Sequence, residues 1–163
     1  MVYDFEEKVF RCLHPNAGQW IPTLESALEE VDEQAEEDED LDQLRKHWLY
    51  SRLAVATLRT RHSALEVQIQ DLRGQISERM RVGSSPLNLY DDLARIHGQR
   101  TGLEKEAVWK CIDYVCALRR ITNFLWRSSQ KAAEEFGKKV LADLRGESVE
   151  PVNTNQPVKA PGP

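Results

Sequence analysis

LDQLRKHWLYSRLAVATLRTRHSALEVQIQDLRGQISER, residues 41–79, is the stretch whose reading decides the fold. With Leu41 as position a of a heptad, the a and d positions are Leu41, Leu44, Trp48, Ser51, Val55, Leu58, His62, Leu65, Ile69, Leu72, Ile76 and Arg79. Nine of these twelve are apolar, no proline interrupts the run, and its one glycine, Gly74, falls at an outward f position. An apolar repeat every 3.5 residues lays one narrow stripe along a helix, the pattern of a coiled-coil seam. The spacing predicts a helix from Leu41 to about Arg81, close to 60 Å long at 1.5 Å per residue.

Working outward toward the N-terminus, Asp40 with Gln43 three residues on has the form of a capping box. The five carboxylates Glu36 to Asp40 repel one another and read as a frayed end or connector. Before them, Thr23 is a candidate N-cap for a helix carrying Leu24, Leu28, Val31 and Ala35 along one edge. A first helix carries Val2, Phe5, Val9 and Leu13 and ends at His14-Pro15-Asn16-Ala17-Gly18.

Toward the C-terminus, Gly83-Ser84-Ser85-Pro86 breaks the long helix. Ser85 as N-cap and Pro86 in the first turn open a short helix with Leu87, Tyr90, Leu93 and Ile96, which Gly98 is expected to stop. Thr101-Gly102-Leu103-Glu104 reads as a second capping box. The helix from residue 102 is apolar on more than one side, through Val108, Cys111, Val115, Leu118 and Leu125, broadened by Trp109, Ile112, Ile121, Phe124 and Trp126. Such a helix is central in a bundle or covered by a partner. Its series runs on through Ala132 and Phe136, with Thr122 and Ser129 as polar gaps. Residues 146–163 hold four of the seven prolines and no aromatics, the composition of a disordered tail.

The expected fold is therefore all-α: an elongated helical bundle built on a long coiled-coil-like hairpin, with a disordered C-terminal tail. Its parts are an acidic helical segment (1–40), the hairpin or bundle (41–145) and the tail (146–163). The helix from 41 pairs antiparallel with that from 102, the short helix at 86–97 covers the turn, and the N-terminal helices pack on the stem. No strand-like alternation of useful length occurs.

Charge is divided unevenly. Residues 1–40 carry 2 Lys and Arg against 13 Asp and Glu, whereas residues 41–145 carry 19 against 12, within a net of −5 for the chain. On the long helix, Arg45, Arg52, Arg59 and Arg73 recur at e positions, about 10.5 Å apart for each heptad, with Lys46 and Arg61 beside them. Arg119, Arg120 and Arg127 form a second basic group. Such a row suits an acidic protein surface, the chain's own Glu25, Glu29, Glu30, Asp32 and Glu33, or nucleic-acid backbone, which cations neutralise without reading sequence.

Signals for chemistry are absent. The histidines His14, His47, His62 and His97 form no metal-binding pair, and Cys111 and Cys116 are five apart, off a common helical face. Neither a G-x-S-x-G elbow nor a phosphate-binding glycine loop occurs. The acidic run lacks the alternation and central glycine of a calcium loop. Three cysteines cannot all pair, and an acidic start without an apolar run does not read as a signal peptide. The most apolar stretch, Ala107 to Trp126, holds Lys110, Asp113, Arg119 and Arg120, too many charges for a bilayer span. These features favour an intracellular, cytoplasmic location, with the nucleus as the alternative. They imply no enzyme activity, cofactor, metal or membrane partner.

The expected function is a non-enzymatic oligomerisation and protein-interaction scaffold or adaptor. Its expected partners are further copies of the chain and another protein. Leu44, Trp48, Val55, Leu58, Leu65, Ile69, Leu72 and Ile76 serve as the oligomer seam. The alternative is a helical protein that binds duplex RNA backbone through the arginine row. Polar residues in the seam, Ser51 and His62, weaken it and are of the kind that can set register or oligomeric state.

Overall fold

The computed structural model describes residues 3–14, 16–34 and 39–149. Five α-helices account for most of them: α1 (Asp4–Leu13), α2 (Ile21–Glu33), α3 (Leu41–Arg81), α4 (Leu87–Ser128) and α5 (Gln130–Val149), with a short 3-10 helix at Ala17–Trp20. No strand occurs among the described residues. The fold is all-α.

The helix predicted from the heptads is α3, with the bounds the sequence indicated. Asp40 caps it: its Oδ1 accepts the Asp42 amide at 3.1 Å, and its carbonyl accepts the Leu44 amide at 3.0 Å. At the far end the Ser84 amide donates to the Arg79 carbonyl (2.8 Å) and the Gly83 amide to that of Met80 (3.3 Å). This Schellman pair needs a left-handed residue, and Gly83 supplies it with φ 80°.

The structure corrects five sequence expectations. Gly98 does not stop a short helix, because α4 runs unbroken from Leu87 to Ser128. The Thr101 hydroxyl, expected to cap a new helix, instead donates to the His97 carbonyl at 3.0 Å, one turn back in the same helix. A glycine costs an exposed helix only about 1 kcal/mol, less than the burial of Ile96 and the packing of Leu93 and Leu103 on either side return. The break falls instead at Ser129, read from sequence as a gap in a continuing stripe. Its hydroxyl accepts the Ala132 amide at 3.1 Å and so starts α5. Finally, α2 begins at Ile21, ahead of Thr23, with Pro22 in its first turn, where a missing amide costs nothing. The tail expected from residue 146 is helical as far as Val149; residues 150–163 and most of the acidic run, 35–38, lie outside the described residues.

The described residues fall into two compact units. One is Arg52–Lys110, a hairpin of α3 and α4. Its core is the predicted seam: Leu65 and Ile69 pack with Ile96, flanked by Leu72, Leu93 and Leu103. Val55, Leu58 and Ile76 are buried as well. His62, at a seam position, places Nε2 3.0 Å from Glu104 Oε2, and Arg100 donates to Glu66 at 2.8 Å, so polar side chains also join the two helices. The Glu66 carboxyl lies below its ordinary range, first because of the Arg100 hydrogen bond.

The other unit comprises the described residues up to Ser51 and from Cys111 onward. Here α4 is the central helix: Ile112, Tyr114, Val115, Leu118 and Ile121 are all buried. Trp48 of α3 meets the Tyr114 ring (centroids 6.3 Å apart) and sits edge-on to Phe136 of α5 at 5.6 Å. Val9 and Phe10 of α1 and Leu24 and Leu28 of α2 complete the core. α1 packs on α5, and a Cβ on Gly137 would lie 3.4 Å from the Phe5 ring.

Candidate interaction site

The most concentrated polar chemistry lies within the second unit, around Arg119. Asp32 projects from α2, Glu6 from α1 and Arg119 from α4. Arg119 donates from Nε and Nη2 to the two oxygens of Asp32, both at 2.9 Å, and from Nη1 to Glu6 Oε2 at 3.4 Å. Asn123 donates to Asp32 Oδ1 (2.8 Å) and the Tyr3 hydroxyl to Oδ2 (3.1 Å), while the guanidinium carbon stands 5.0 Å over the Tyr3 ring. The forked geometry of arginine matches a carboxylate in this way, and its flat face suits an aromatic ring.

Burial tunes the two acids differently. Only 4% of the Glu6 side chain is exposed, and desolvation pushes its carboxyl above the ordinary range in spite of its backbone hydrogen bond and Arg119. Burial also acts to raise Asp32, but the hydrogen bonds from Arg119, Asn123 and Tyr3 and the Arg119 charge outweigh it, and Asp32 lies below the ordinary range. Arg119 is raised despite its own desolvation, through Asp32 and Glu6. Beside this cluster is a cavity of about 540 Å³ lined by Phe5, Glu6, Trp126, Gly137, Lys138 and Leu141 among others. With Arg119 held by two carboxylates, the arrangement ties α1, α2 and α4 together.

The sequence-predicted residues divide accordingly. Arg119, grouped by charge with a basic surface, is an internal tie. Arg127 pairs with Glu39 at 3.4 Å, and Arg120 is half-buried. The acidic N-terminal segment thus meets α4 through Glu6, Asp32 and Glu39. On α3, Arg45, Lys46, Arg59, Arg61 and Arg73 are exposed and Arg52 half-buried. The seam residues Leu44, Val55, Leu58, Leu65, Ile69 and Ile76 are buried within the chain, and Trp48 and Leu72 are partly so.

One feature of α3 was missed by a reading confined to a, d, e and g positions. Within the Arg52–Lys110 unit, Leu53, Ala56, Thr60, Ala64 and Val67 follow one another at helical spacing on the side away from the seam, and all are exposed. Leu53 is 64% and Val67 61% exposed. The hydroxyls of Thr57 and Thr60 donate to the carbonyls of Leu53 (2.9 Å) and Ala56 (3.1 Å), so their polarity is satisfied within the helix. No charged residue enters this strip between Leu53 and Val67.

Other candidate chemistry is sparse. Burial pushes the Cys116 thiol up to about 11, which keeps it protonated and unreactive at neutral pH. Among the described residues, no group of three His, Cys, Asp or Glu is placed to hold a metal ion. None of their helices is long and apolar enough to cross a membrane. Comparison with known protein families, curated proteins and solved structures finds nothing that matches this chain.

Proposed function

We propose that this protein is a non-enzymatic helical scaffold that assembles with polypeptides through the outward side of α3. The observation that carries the reading is the exposed strip Leu53, Ala56, Thr60, Ala64 and Val67 in the hairpin unit, on a helix whose a/d seam there is already covered by its own chain. A contiguous apolar face rimmed by polar residues is characteristic of a contact surface. The buried charge cluster supports the same reading, because it spends its arginine on holding helices together.

The exposure of Arg45, Arg59, Arg61 and Arg73 favours a second reading, binding of duplex RNA backbone. A mobility-shift assay with short duplex RNA at low salt, run beside light scattering of the same preparation, separates the two. The scaffold reading predicts an assembled protein and no shifted RNA. A single chain that shifts unrelated duplexes, with an affinity that falls steeply as salt rises, would overturn it in favour of RNA.

A further inference from the structure

We infer that the cavity beside the Arg119 cluster binds a small organic cation, an ammonium group carried on a compact aromatic body, with Glu6 as the anion that holds it. This site is separate from the strip on α3 and does not rest on the scaffold reading.

The cavity lies wholly within the unit formed by the described residues up to Ser51 and from Cys111 onward. Its walls come from α1, α4 and α5, and its volume of about 540 Å³ suits a small molecule. Phe5, Trp126, Ala133 and Leu141 supply an apolar lining. Trp126 is 55% exposed, so much of its indole is open to a ligand. Indole is the side-chain ring that attracts a cation most strongly.

The charged groups on the same walls favour a cation over an anion. Asp4, Glu6 and Glu134 line the cavity, against Arg119 and Lys138. Arg119 already gives Nε and Nη2 to Asp32, both at 2.9 Å, and Lys138 is exposed to water. Glu134 is exposed too, and accepts a hydrogen bond from Gln130 at 3.0 Å. Glu6 differs from it in having only 4% of its side chain exposed, and its contact with Arg119 Nη1 is long at 3.4 Å. Charge-assisted bonds of this kind ordinarily close to about 2.7–2.9 Å. A carboxylate accepts several hydrogen bonds at once, so an ammonium can donate to Glu6 while Arg119 stays on Asp32. Burial pushes the Glu6 carboxyl above its ordinary range, and a bound cation relieves that cost. A neutral molecule of the same shape leaves the carboxylate without a closer partner, and an anion adds like charge beside it.

The test is isothermal titration calorimetry of the full chain with three probes of similar shape: phenethylammonium, phenethyl alcohol and phenylacetate. Circular dichroism checks that the variants keep their helicity. Phenethylammonium is expected to bind with a dissociation constant on the order of 0.1 mM. The alcohol should bind roughly tenfold more weakly, and phenylacetate more weakly still. Glu6→Gln keeps the shape of the side chain and should weaken the ammonium roughly tenfold while leaving the alcohol unchanged. Trp126→Ala, at an exposed position where little packing is lost, should weaken the ammonium about fivefold. Failure of the ammonium to bind overturns the proposal, as does phenylacetate binding as tightly as the ammonium. Ammonium binding that neither variant weakens lies elsewhere on the protein and overturns it as well. If Glu6→Gln loses helicity, Trp126→Ala and the order of the three probes decide the matter.

Discussion

Glu6 and Asp32 are two carboxylates on one guanidinium, and their surroundings push them in opposite directions. Asp32 has hydrogen bonds from Arg119, Asn123 and Tyr3 to hold its charge, while Glu6 has one long contact with Arg119 and almost no water. Removing the shared cation leaves a buried carboxylate unpaired. Arg119→Gln is therefore expected to cost roughly 2–4 kcal/mol, read from denaturant unfolding. The two acids also give opposite dependences on pH. Because the folded-state value of Glu6 is raised above 4.5, its contribution to stability falls as pH rises from that point through its raised value. Asp32 is lowered below 3.8, so its contribution is present above that value and lost as pH falls through the lowered one. Glu6→Gln should accordingly gain stability relative to wild type as pH is raised from 4.5 to neutrality. Melting temperatures at the two ends of that range measure it, and a variant-minus-wild-type value that falls with rising pH would contradict the assignment. None of this was legible in the sequence. Arg119 stands 87 positions from Asp32 and 113 from Glu6, and nothing local marks the three as neighbours.

At the scale of the element, α3 was readable because its signal is repeated: each heptad states the same face, and no single residue decides it. α4 was misread at Gly98 and Thr101 because turn and cap signals are local, while the packing that overrides them is not. Leu93 and Ile96 lie before the supposed break and Leu103 after it, and all three belong to one cluster with Leu65 and Ile69. The glycines in this span are tolerated exceptions. A Cβ added at Gly98 or Gly102 meets nothing within 4 Å, so each change to alanine should stabilise by about 0.5–1 kcal/mol through helix propensity. Gly83 behaves oppositely, since its positive φ strains any side chain. A loss of stability in Gly98→Ala, measured by thermal unfolding, would show that the helix does break there. Ser129 illustrates the reverse error: a polar residue in an apolar series was counted as a gap, whereas its hydroxyl caps α5.

For the whole molecule, the heptad seam and the outward strip differ in exposure although both lie on α3. The a/d residues expected as an oligomer seam are buried or partly buried within the chain, Val55 to Ile76 in the hairpin and Leu44 and Trp48 in the other unit. The outward strip was present in the sequence as uncharged residues at helical spacing, Leu53, Ala56, Thr60, Ala64 and Val67, but only exposure distinguishes it from a second buried face. Substitutions on the two faces should therefore have separable effects. Leu65→Ala removes part of a packed core and should cost roughly 2–5 kcal/mol without changing the number of chains. Leu53→Glu places a charge in the exposed strip and should leave stability within about 0.5 kcal/mol. The most direct measurement is the molar mass of wild type and Leu53→Glu by light scattering across protein concentration. The account predicts that wild type rises above the mass of one chain while Leu53→Glu, equally helical, stays at one; equal masses for the two proteins at every concentration would contradict it.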